Sequence, residues 1–173
     1  MSKVIILTTI FITFCTASAA EITYVDFPKT KLVCIRTTDY TKMGEILGKV
    51  AGWAGPQGLM GPNTKFISVY YTNMFYIPET TPPVDVGINV SGDIKPGEGM
   101  TIVEIGGGKY AKYVHKGPYD QLKSAWRTVM DEIKNSKTYS NADKPSFEIY
   151  LNEPGKTKPE DLITEIYMPV EAK

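Results

Sequence analysis

The chain has 173 residues, of which 42% are hydrophobic and 22% are charged, and this composition is typical of one globular domain that builds its own core. Lysine and arginine together number 19, as do aspartate and glutamate, and no basic stretch marks a surface for a phosphate backbone. The charge balance therefore argues against nucleic acid as a partner.

The first residues have the pattern of a signal peptide, with a positive charge at Lys3, an apolar run over residues 4–14 and small residues at 17–20 where cleavage could occur. The run is shorter than the roughly 20 residues of a membrane-spanning helix, so we expect no stable membrane insertion after cleavage. We assign residues 1–19 to the signal peptide and 20–173 to one domain. The mature protein is predicted to be exported to a periplasmic or extracellular compartment.

Two stretches of the chain repeat one helical spacing of apolar residues, at i, i+3, i+4, i+7, i+8 and i+11. Thr38 or Asp39 can cap the first helix, and Pro118 fits the first helical position of the second. Gly52 or Gly55 should end the first helix, and Asn135 or Ser136 the second. The apolar stripes comprise Met43, Ile46, Leu47, Val50, Ala51 and Ala54 in the first helix, and Leu122, Ala125, Trp126, Val129, Met130 and Ile133 in the second.

Around each helix the β-like segments occur in the same order, one before the helix and two after it. The two halves keep an offset of about 80 residues, which indicates internal duplication, and Tyr40 and Tyr119 hold equivalent places at the two helix starts. We predict an α+β fold of duplicated β-α-β-β modules, with a largely antiparallel sheet and both main helices on one side. The halves cover about 22–90 and 100–170, and their strands are 31–36, 66–71 and 84–90, then 100–105, 109–115, 147–152 and 164–170.

Three spaced motifs of the second half occur in order at residues 113–119 (YVHKGPY), 147–154 (FEIYLNEP) and 164–170 (TEIYMPV). Together they resemble the GyrI-like family, which includes the effector-binding domains of multidrug-responsive transcription activators. The resemblance implies two fused modules with a small-molecule cleft between them, often lined by aromatic residues around an acidic residue that receives lipophilic cations. A signal peptide takes the place of the regulators' DNA-binding domain, so transcriptional control is not carried over.

Glu148 is the leading candidate for a ligand-binding residue, because it alternates along its strand with the apolar residues Phe147, Ile149 and Leu151. If the apolar face meets the helices, Glu148 points into the opposite concavity. In the repeat its equivalent is Ile67, so the carboxylate is an addition to the symmetric plan. From the pattern alone a solvated strand glutamate is the commoner case, and the family resemblance favours binding.

Aromatic residues are the candidates for the walls of a pocket, where each ring could contribute about 0.5 to 2 kcal/mol to binding a cation. For any one of them ordinary packing is an equal alternative, and for the residue on the stripe of the second helix, Trp126, core packing is favoured. The ligand-binding candidates are Glu148, Trp53, Tyr71, Trp126, Tyr150 and Tyr167. Should the chain be an enzyme, Glu148 with Tyr150 or Tyr167 would activate water.

Three further residues could carry chemistry. Glu165 is the second choice for an acidic group, although its repeat partner Asp85 indicates a shared structural duty. His115 is the only histidine, so no histidine-based metal cluster can form, and we interpret it as a surface or junction residue. Cys34 remains alone after removal of the signal peptide, and its apolar neighbours predict a buried thiol.

The sequence thus predicts an exported protein that binds amphipathic or cationic small molecules without catalysis, cofactor or metal. One alternative is a hydrolase of reactive electrophiles, a reaction attributed to some relatives in the family. A further alternative is a haem-binding or partner-binding module, since SOUL-type haem proteins share the module plan. The sequence sets no oligomeric state.

Overall fold

The computed structural model describes residues 21–71 and 81–173 of the chain. The predicted signal peptide at 1–19 lies outside the described residues.

In the described part of the chain, nine strands form an antiparallel sheet that curls into a half-barrel, and two helices pack on it. The order across the sheet is β1-β6-β9-β8-β3-β4-β2-β5, and β7 adds to β9. The strands are β1 Thr23–Phe27, β2 Thr30–Thr37, β3 Phe66–Tyr70, β4 Val84–Val90, β5 Thr101–Ile105, β6 Gly108–Lys116, β7 Tyr139–Asn141, β8 Ser146–Tyr150 and β9 Ile163–Ala172. The helices are α1 Met43–Ala54 and α2 Leu122–Asn135.

The duplicated plan is visible in the order of the elements. The first module is β2-α1-β3-β4 and the second is β6-α2-β8-β9, so the predicted α+β fold of two β-α-β-β modules is confirmed. The modules meet at the antiparallel pair β3–β8 in the middle of the sheet. The sequence interpretation missed β1, which pairs with β6, and the three-residue strand β7. β1 corresponds to β5, since β1 pairs with β6 at one edge of the sheet as β5 pairs with β2 at the other, whereas β7 has no counterpart among the described residues.

Each helix begins with a turn of 3-10 helix that brings a tyrosine to its start, at Tyr40 and at Tyr119. Asp39 caps the first of these turns by accepting a hydrogen bond from the backbone N–H of Thr41 at 3.1 Å. Pro118 was expected at the first helical position but lies one residue earlier, in extended backbone with ψ of 154°. Its fixed φ suits either place, so the sequence could not separate them.

The sheet has an apolar core on each of its two faces. On one face both helices pack against alternate residues of β4 and β9, among them Val86 and Ile166. On the inner face of the curl, Phe27 of β1 packs on Phe147 with ring centroids 4.8 Å apart. That inner core comprises Leu32, Ile67, Val69, Ile105, Tyr110, Phe147, Ile149 and Tyr167. Both sides of the central strands are therefore buried.

The placement of the helices leaves the middle of the sheet between them. Helix α1 packs mainly against β2 and β4, and α2 mainly against β6 and β7. Because β8 and β3 lie between these groups in the strand order, side chains from β3 and β8 on the helix face project into the space between α1 and α2. Neither helix, nor any other helix of the described residues, is long and apolar enough to cross a membrane.

Gly87 in β4 marks the closest approach of β2 and β4. A Cβ atom at Gly87 would collide with the carbonyl oxygen of Val33 and lie 2.7 Å from Cys34 Cα. We expect Gly87→Ala to lower the free energy of unfolding by about 1–3 kcal/mol, because the neighbouring backbone must shift. Urea denaturation followed by circular dichroism measures this change.

The matched control is Gly48→Ala on the exposed side of α1, where a Cβ has no neighbour within 4 Å. This substitution should raise the stability by about 0.5–1 kcal/mol, because alanine is the better helix former. A Gly87→Ala protein as stable as the wild type would contradict the close β2–β4 pairing.

Candidate ligand-binding site

Glu148 lies in the middle of β8, on the face of the sheet that carries the helices. Ser68 of β3 and Ile166 of β9 are directly opposite it, and residues opposite each other on antiparallel strands share a face. Because Ile166 belongs to the helix-side core, Glu148 points toward the helices. The condition under which Glu148 would point away from the helices, that its apolar neighbours meet them, is not fulfilled. Its apolar neighbours Phe147 and Ile149 fill the inner core of the curl instead.

Three neutral donors hold the carboxylate of Glu148. Trp126 donates its indole N–H to Oε1 at 2.6 Å, while the hydroxyls of Tyr70 and Tyr150 donate to Oε2 at 2.9 and 2.7 Å. The Tyr150 hydroxyl also lies 2.9 Å from Ser68 Oγ, and since its one proton is given to Glu148, Ser68 is the donor in that contact. Glu148 is only 2% exposed. Its buried carboxylate thus accepts hydrogen bonds from the protein at both oxygens.

The carboxylate of Glu148 forms no salt bridge in the part of the chain that the structure describes. Within residues 21–71 and 81–173, no lysine or arginine forms an ion pair with Glu148. Burial raises the pKa of Glu148, and the hydrogen bonds from Tyr150, Trp126 and Tyr70, together with the charge of nearby His115, offset part of that rise. The pKa values of Tyr70 and Tyr150 lie well above 10, because both hydroxyls are buried and adjoin the negative charge of Glu148.

Two aromatic walls, one from each module, lead from the carboxylate to the surface. In the first module Tyr40 meets Tyr70 edge-on with ring centroids 6.4 Å apart, and in the second Tyr119 meets Tyr150 at 5.5 Å. Tyr40 and Tyr119 are 39% and 37% exposed, so they form the outer end of each wall. Burial and the charge of Glu148 raise the pKa of both outer tyrosines. We call the set of Glu148, Tyr40, Tyr70, Tyr119, Trp126 and Tyr150 the Glu148 site.

The sequence interpretation named Glu148, Trp126 and Tyr150 from this set and missed Tyr40, Tyr70 and Tyr119. Tyr40 and Tyr119 were recognised as equivalent helix-start residues but were not assigned to a site. Tyr70 was passed over for its neighbour Tyr71, which points to the opposite face. The available signal was the repeat itself, because Tyr70 and Tyr150 end the equivalent strands β3 and β8.

Three predicted aromatic candidates lie elsewhere. Tyr167 is on the inner face, stacked on Phe147 with centroids 4.8 Å apart. Tyr71 donates its hydroxyl to Asp85 at 2.6 Å, on the face opposite to Glu148. Trp53 ends α1 with its indole against Gly97. Successive residues of a strand point to opposite faces of the sheet, so an error of one position places a side chain on the wrong face. This explains why Tyr71 and Tyr167 were assigned to the wrong face.

Asp85 and Glu165 share a structural duty on the other face, as their equivalence in the repeat indicated. Asp85 receives two hydrogen bonds from Arg36, at 2.8 and 2.7 Å, and one from the hydroxyl of Tyr71. Glu165 pairs with Lys112 at 2.5 Å and accepts from the hydroxyl of Tyr167 at 2.8 Å. Glu165 therefore does not face Glu148, and the two carboxylates do not share a site.

The repeat partner of Glu148 also needs correction. Ile67 lies on the inner face of the sheet, whereas Glu148 lies on the helix face. Ser68 also lies on the helix face, and it pairs with Glu148 on the neighbouring strand. The two modules therefore differ at this position, which is Ser68 in the first module and Glu148 in the second.

Cys34 is fully buried as predicted, and burial raises the pKa of its thiol to about 12.

Comparisons with known proteins agree with this architecture. A model of the GyrI-like small molecule binding domain matches residues 20–171. This chain belongs to the GyrI-like small-molecule-binding family. A DNA gyrase inhibitor of Citrobacter koseri is 30% identical over 112 residues, which are 63% of this chain and 71% of that protein.

Two solved structures share the fold. The EcmrR C-terminal domain superposes with a TM-score of 0.72 at 21% identity, over 88% of this chain and 98% of that one. The protein SAV2435, solved bound to tetraphenylphosphonium, superposes with a TM-score of 0.62 at 19% identity, over 87% of this chain and 94% of that one. The domain thus belongs to a small-molecule-binding family, and these two structures share its fold.

The raised pKa of Glu148 makes stability depend on pH. The folded state holds the Glu148 proton more tightly than the unfolded chain, whose glutamate pKa is about 4.3. As pH rises from there through the folded pKa, the free energy of unfolding should fall, by at most about 1.4 kcal/mol per pH unit. Glu148→Gln should remove this fall, which urea unfolding of both proteins from pH 4 to 8 measures.

Glu45→Gln, which removes an exposed carboxylate from α1, is the control and should follow the wild type. The test is the difference between wild type and Glu148→Gln. A difference that stays constant with pH would show that the carboxyl titrates alike in the folded and unfolded states.

Proposed function

We propose that this domain binds amphipathic or lipophilic organic cations at the Glu148 site, in a cleft between its two modules. The observation that carries the proposal is the buried Glu148 carboxylate, which has three neutral hydrogen-bond donors and no cationic partner among the described residues. A buried charge without a counter-ion lowers stability, and a bound cation would supply that counter-ion.

The surroundings of Glu148 favour a lipophilic cation over a small hydrated one. Four aromatic side chains lie around the carboxylate, and a cation held over the face of such a ring gains about 0.5 to 2 kcal/mol. They are Tyr40, Tyr70, Tyr119 and Trp126. A small hydrated cation would have to give up its water for a single carboxylate. A large organic cation spreads its charge over an apolar surface and fits aromatic walls better.

The comparisons support the same ligand class. Tetraphenylphosphonium, the ligand of the structurally similar SAV2435, is a lipophilic cation. The curated relative is named for inhibition of DNA gyrase, and our proposal for this chain rests on the chemistry of the Glu148 site instead.

Affinity for tetraphenylphosphonium tests the proposal directly. We expect Glu148→Gln to weaken its binding at least about tenfold, the equivalent of 1.4 kcal/mol, because the substitution removes the only charge in the site. Glutamine keeps the shape and accepts the Trp126 hydrogen bond. Isothermal titration calorimetry of both proteins at pH 7.5 gives the two dissociation constants.

Glu165→Gln is the matched control, since it removes a partly buried glutamate on the other face that is already paired with Lys112. This variant should bind tetraphenylphosphonium as the wild type does. Equal affinity of Glu148→Gln and wild type, or no binding by the wild type, would contradict the proposal. Circular dichroism of each variant excludes unfolding as the cause of a loss.

A hydrolase is the second candidate, and the contact between Tyr150 and Glu148 at 2.7 Å favours it. A carboxyl group with a raised pKa beside a hydroxyl suits general acid–base activation of water on an electrophile. Tyr167 cannot share this role, because it lies on the inner face. Mass spectrometry after incubation with an epoxide separates the candidates, since only a hydrolase accumulates the diol beyond one equivalent of protein.

We also propose that the mature domain functions outside the cytoplasm, as the signal peptide pattern at residues 1–19 indicates. Expression of the full chain in a bacterial host should yield a product in the periplasm or medium whose N-terminus, read by mass spectrometry, lies near Ala20. A chain starting at Ala20 after an initiator methionine is the control and should stay in the cytoplasm. Recovery of the uncleaved chain from the cytoplasm would contradict export.

A further inference from the structure

A row of polar residues adjoins the Glu148 site on the helix face of the sheet. Thr164 of β9 lies directly opposite Tyr150 of β8 on one side and His115 of β6 on the other. Since Tyr150 follows Glu148 by two residues on β8, the row and the carboxylate share one face. We call Tyr150, Thr164 and His115 the polar row.

The hydroxyl of Thr164 has no hydrogen-bond partner in the described part of the chain. Thr164 is fully buried, and its Oγ1 is the one buried side-chain oxygen or nitrogen, among residues 21–71 and 81–173, without such a partner. Leaving a buried hydroxyl unpaired costs free energy, and valine has nearly the same shape without that cost. An orphaned hydroxyl beside a ligand-binding site indicates a group kept for the ligand.

His115 adds a second hydrogen-bonding group to the row. It is 8% exposed, where a surface or junction position was expected, so the junction is correct but the side chain is buried. Its Nε2 lies 3.4 Å from the carbonyl oxygen of Pro118. If that nitrogen carries the proton, Nδ1 is an acceptor and can receive a hydrogen bond from a ligand hydroxyl.

The polar row borders an open cavity between β6 and α2. This cavity has a volume of about 230 Å³ and is lined by Tyr113, His115, Gln121, Ser124, Ala125 and Thr128. Its lining offers hydroxyl, amide and imidazole groups and contains no lysine, arginine, aspartate or glutamate. An uncharged group that donates and accepts hydrogen bonds therefore suits it better than a second charge.

We propose that the polar row and this cavity form a subsite for an uncharged hydroxyl-bearing or amide-bearing arm of the ligand whose cationic part lies at Glu148. This inference rests on the proposed cation site and refines its ligand class. The preferred ligands are amphipathic cations with a hydrogen-bonding arm, in preference to cations built of hydrocarbon alone.

Two phosphonium cations of nearly equal size test the subsite. Butyltriphenylphosphonium and 3-hydroxypropyltriphenylphosphonium differ in one terminal group, a methyl against a hydroxyl. We expect the wild type to bind the hydroxylated cation about two- to tenfold more tightly, as one added hydrogen bond should give. Thr164→Val should lose this preference by weakening only the hydroxylated cation, as titration calorimetry would measure.

Thr101→Val is the matched control, because it removes the hydroxyl of an exposed threonine on the edge strand β5, and it should keep the preference. Equal binding of the two cations by the wild type would overturn the subsite while leaving the cation site intact. A loss of both cations in Glu148→Gln concerns only the cation site. If the wild type binds neither cation, both proposals fall.

Stability provides a readout that needs no ligand. Because its hydroxyl is orphaned, Thr164→Val should unfold at an equal or higher urea concentration than the wild type. A clear fall in that concentration would show that the hydroxyl is paired within the protein, and would overturn the subsite.

Discussion

The burial of one unpaired carboxylate at the centre of the sheet is the constraint on which the rest of this structure depends. Glu148 sits on β8, takes hydrogen bonds from β3 through Tyr70, from β8 itself through Tyr150 and from α2 through Trp126, and so ties both modules to one point. The three hydrogen bonds reduce the free-energy cost of burying the carboxylate, but they do not neutralise its charge. An apolar residue at this position would leave a buried tryptophan N–H and two tyrosine hydroxyls to find other partners. The residues that form the Glu148 site are therefore also residues that join the two modules.

The duplication explains why the site is charged only once. Tyr40 and Tyr119, then Tyr70 and Tyr150, occupy matching places in the two modules, while Ser68 and Glu148 oppose each other across the central strand pair. The remaining repeat carboxylates, Asp85 and Glu165, lie on the other face, and each is neutralised by a cation and a tyrosine hydroxyl. Among the described residues, two of these three carboxylates thus have a cationic partner within the protein, whereas Glu148 has hydrogen bonds alone. A symmetric pair of glutamates would repel each other, and a pair of serines would attract no cation.

The sequence predicted the fold well because its signals are local. The apolar stripes of α1 and α2 and the repeated order of strands depend on spacing within one element, and the offset between the halves preserves it. The site was predicted only in part, because its face depends on what covers the sheet. The curl buries Phe147 and Ile149 beneath β1, so alternation along β8 could not tell the helix side from the inner side. A shift of one residue in the repeat alignment then paired Glu148 with Ile67 and selected Tyr71 in place of Tyr70. The burial of His115 likewise depends on a β9 neighbour about 50 residues away, which spacing cannot reveal.

The proposed binding of a cation at the Glu148 site would be coupled to the stability of the fold through one proton. In the free protein the raised pKa of Glu148 means that ionisation of its carboxyl weakens the folded state. A bound organic cation reverses this effect, because an opposite charge favours the ionised form and lowers the pKa of the carboxyl. Binding must therefore release a proton at any pH between the two pKa values, and the affinity for a cation must rise with pH over the same range. A neutral ligand would have neither effect. Proton release on binding accordingly separates recognition of charge by Glu148 from simple filling of an aromatic cleft, and it follows from the same buried carboxylate that joins the modules.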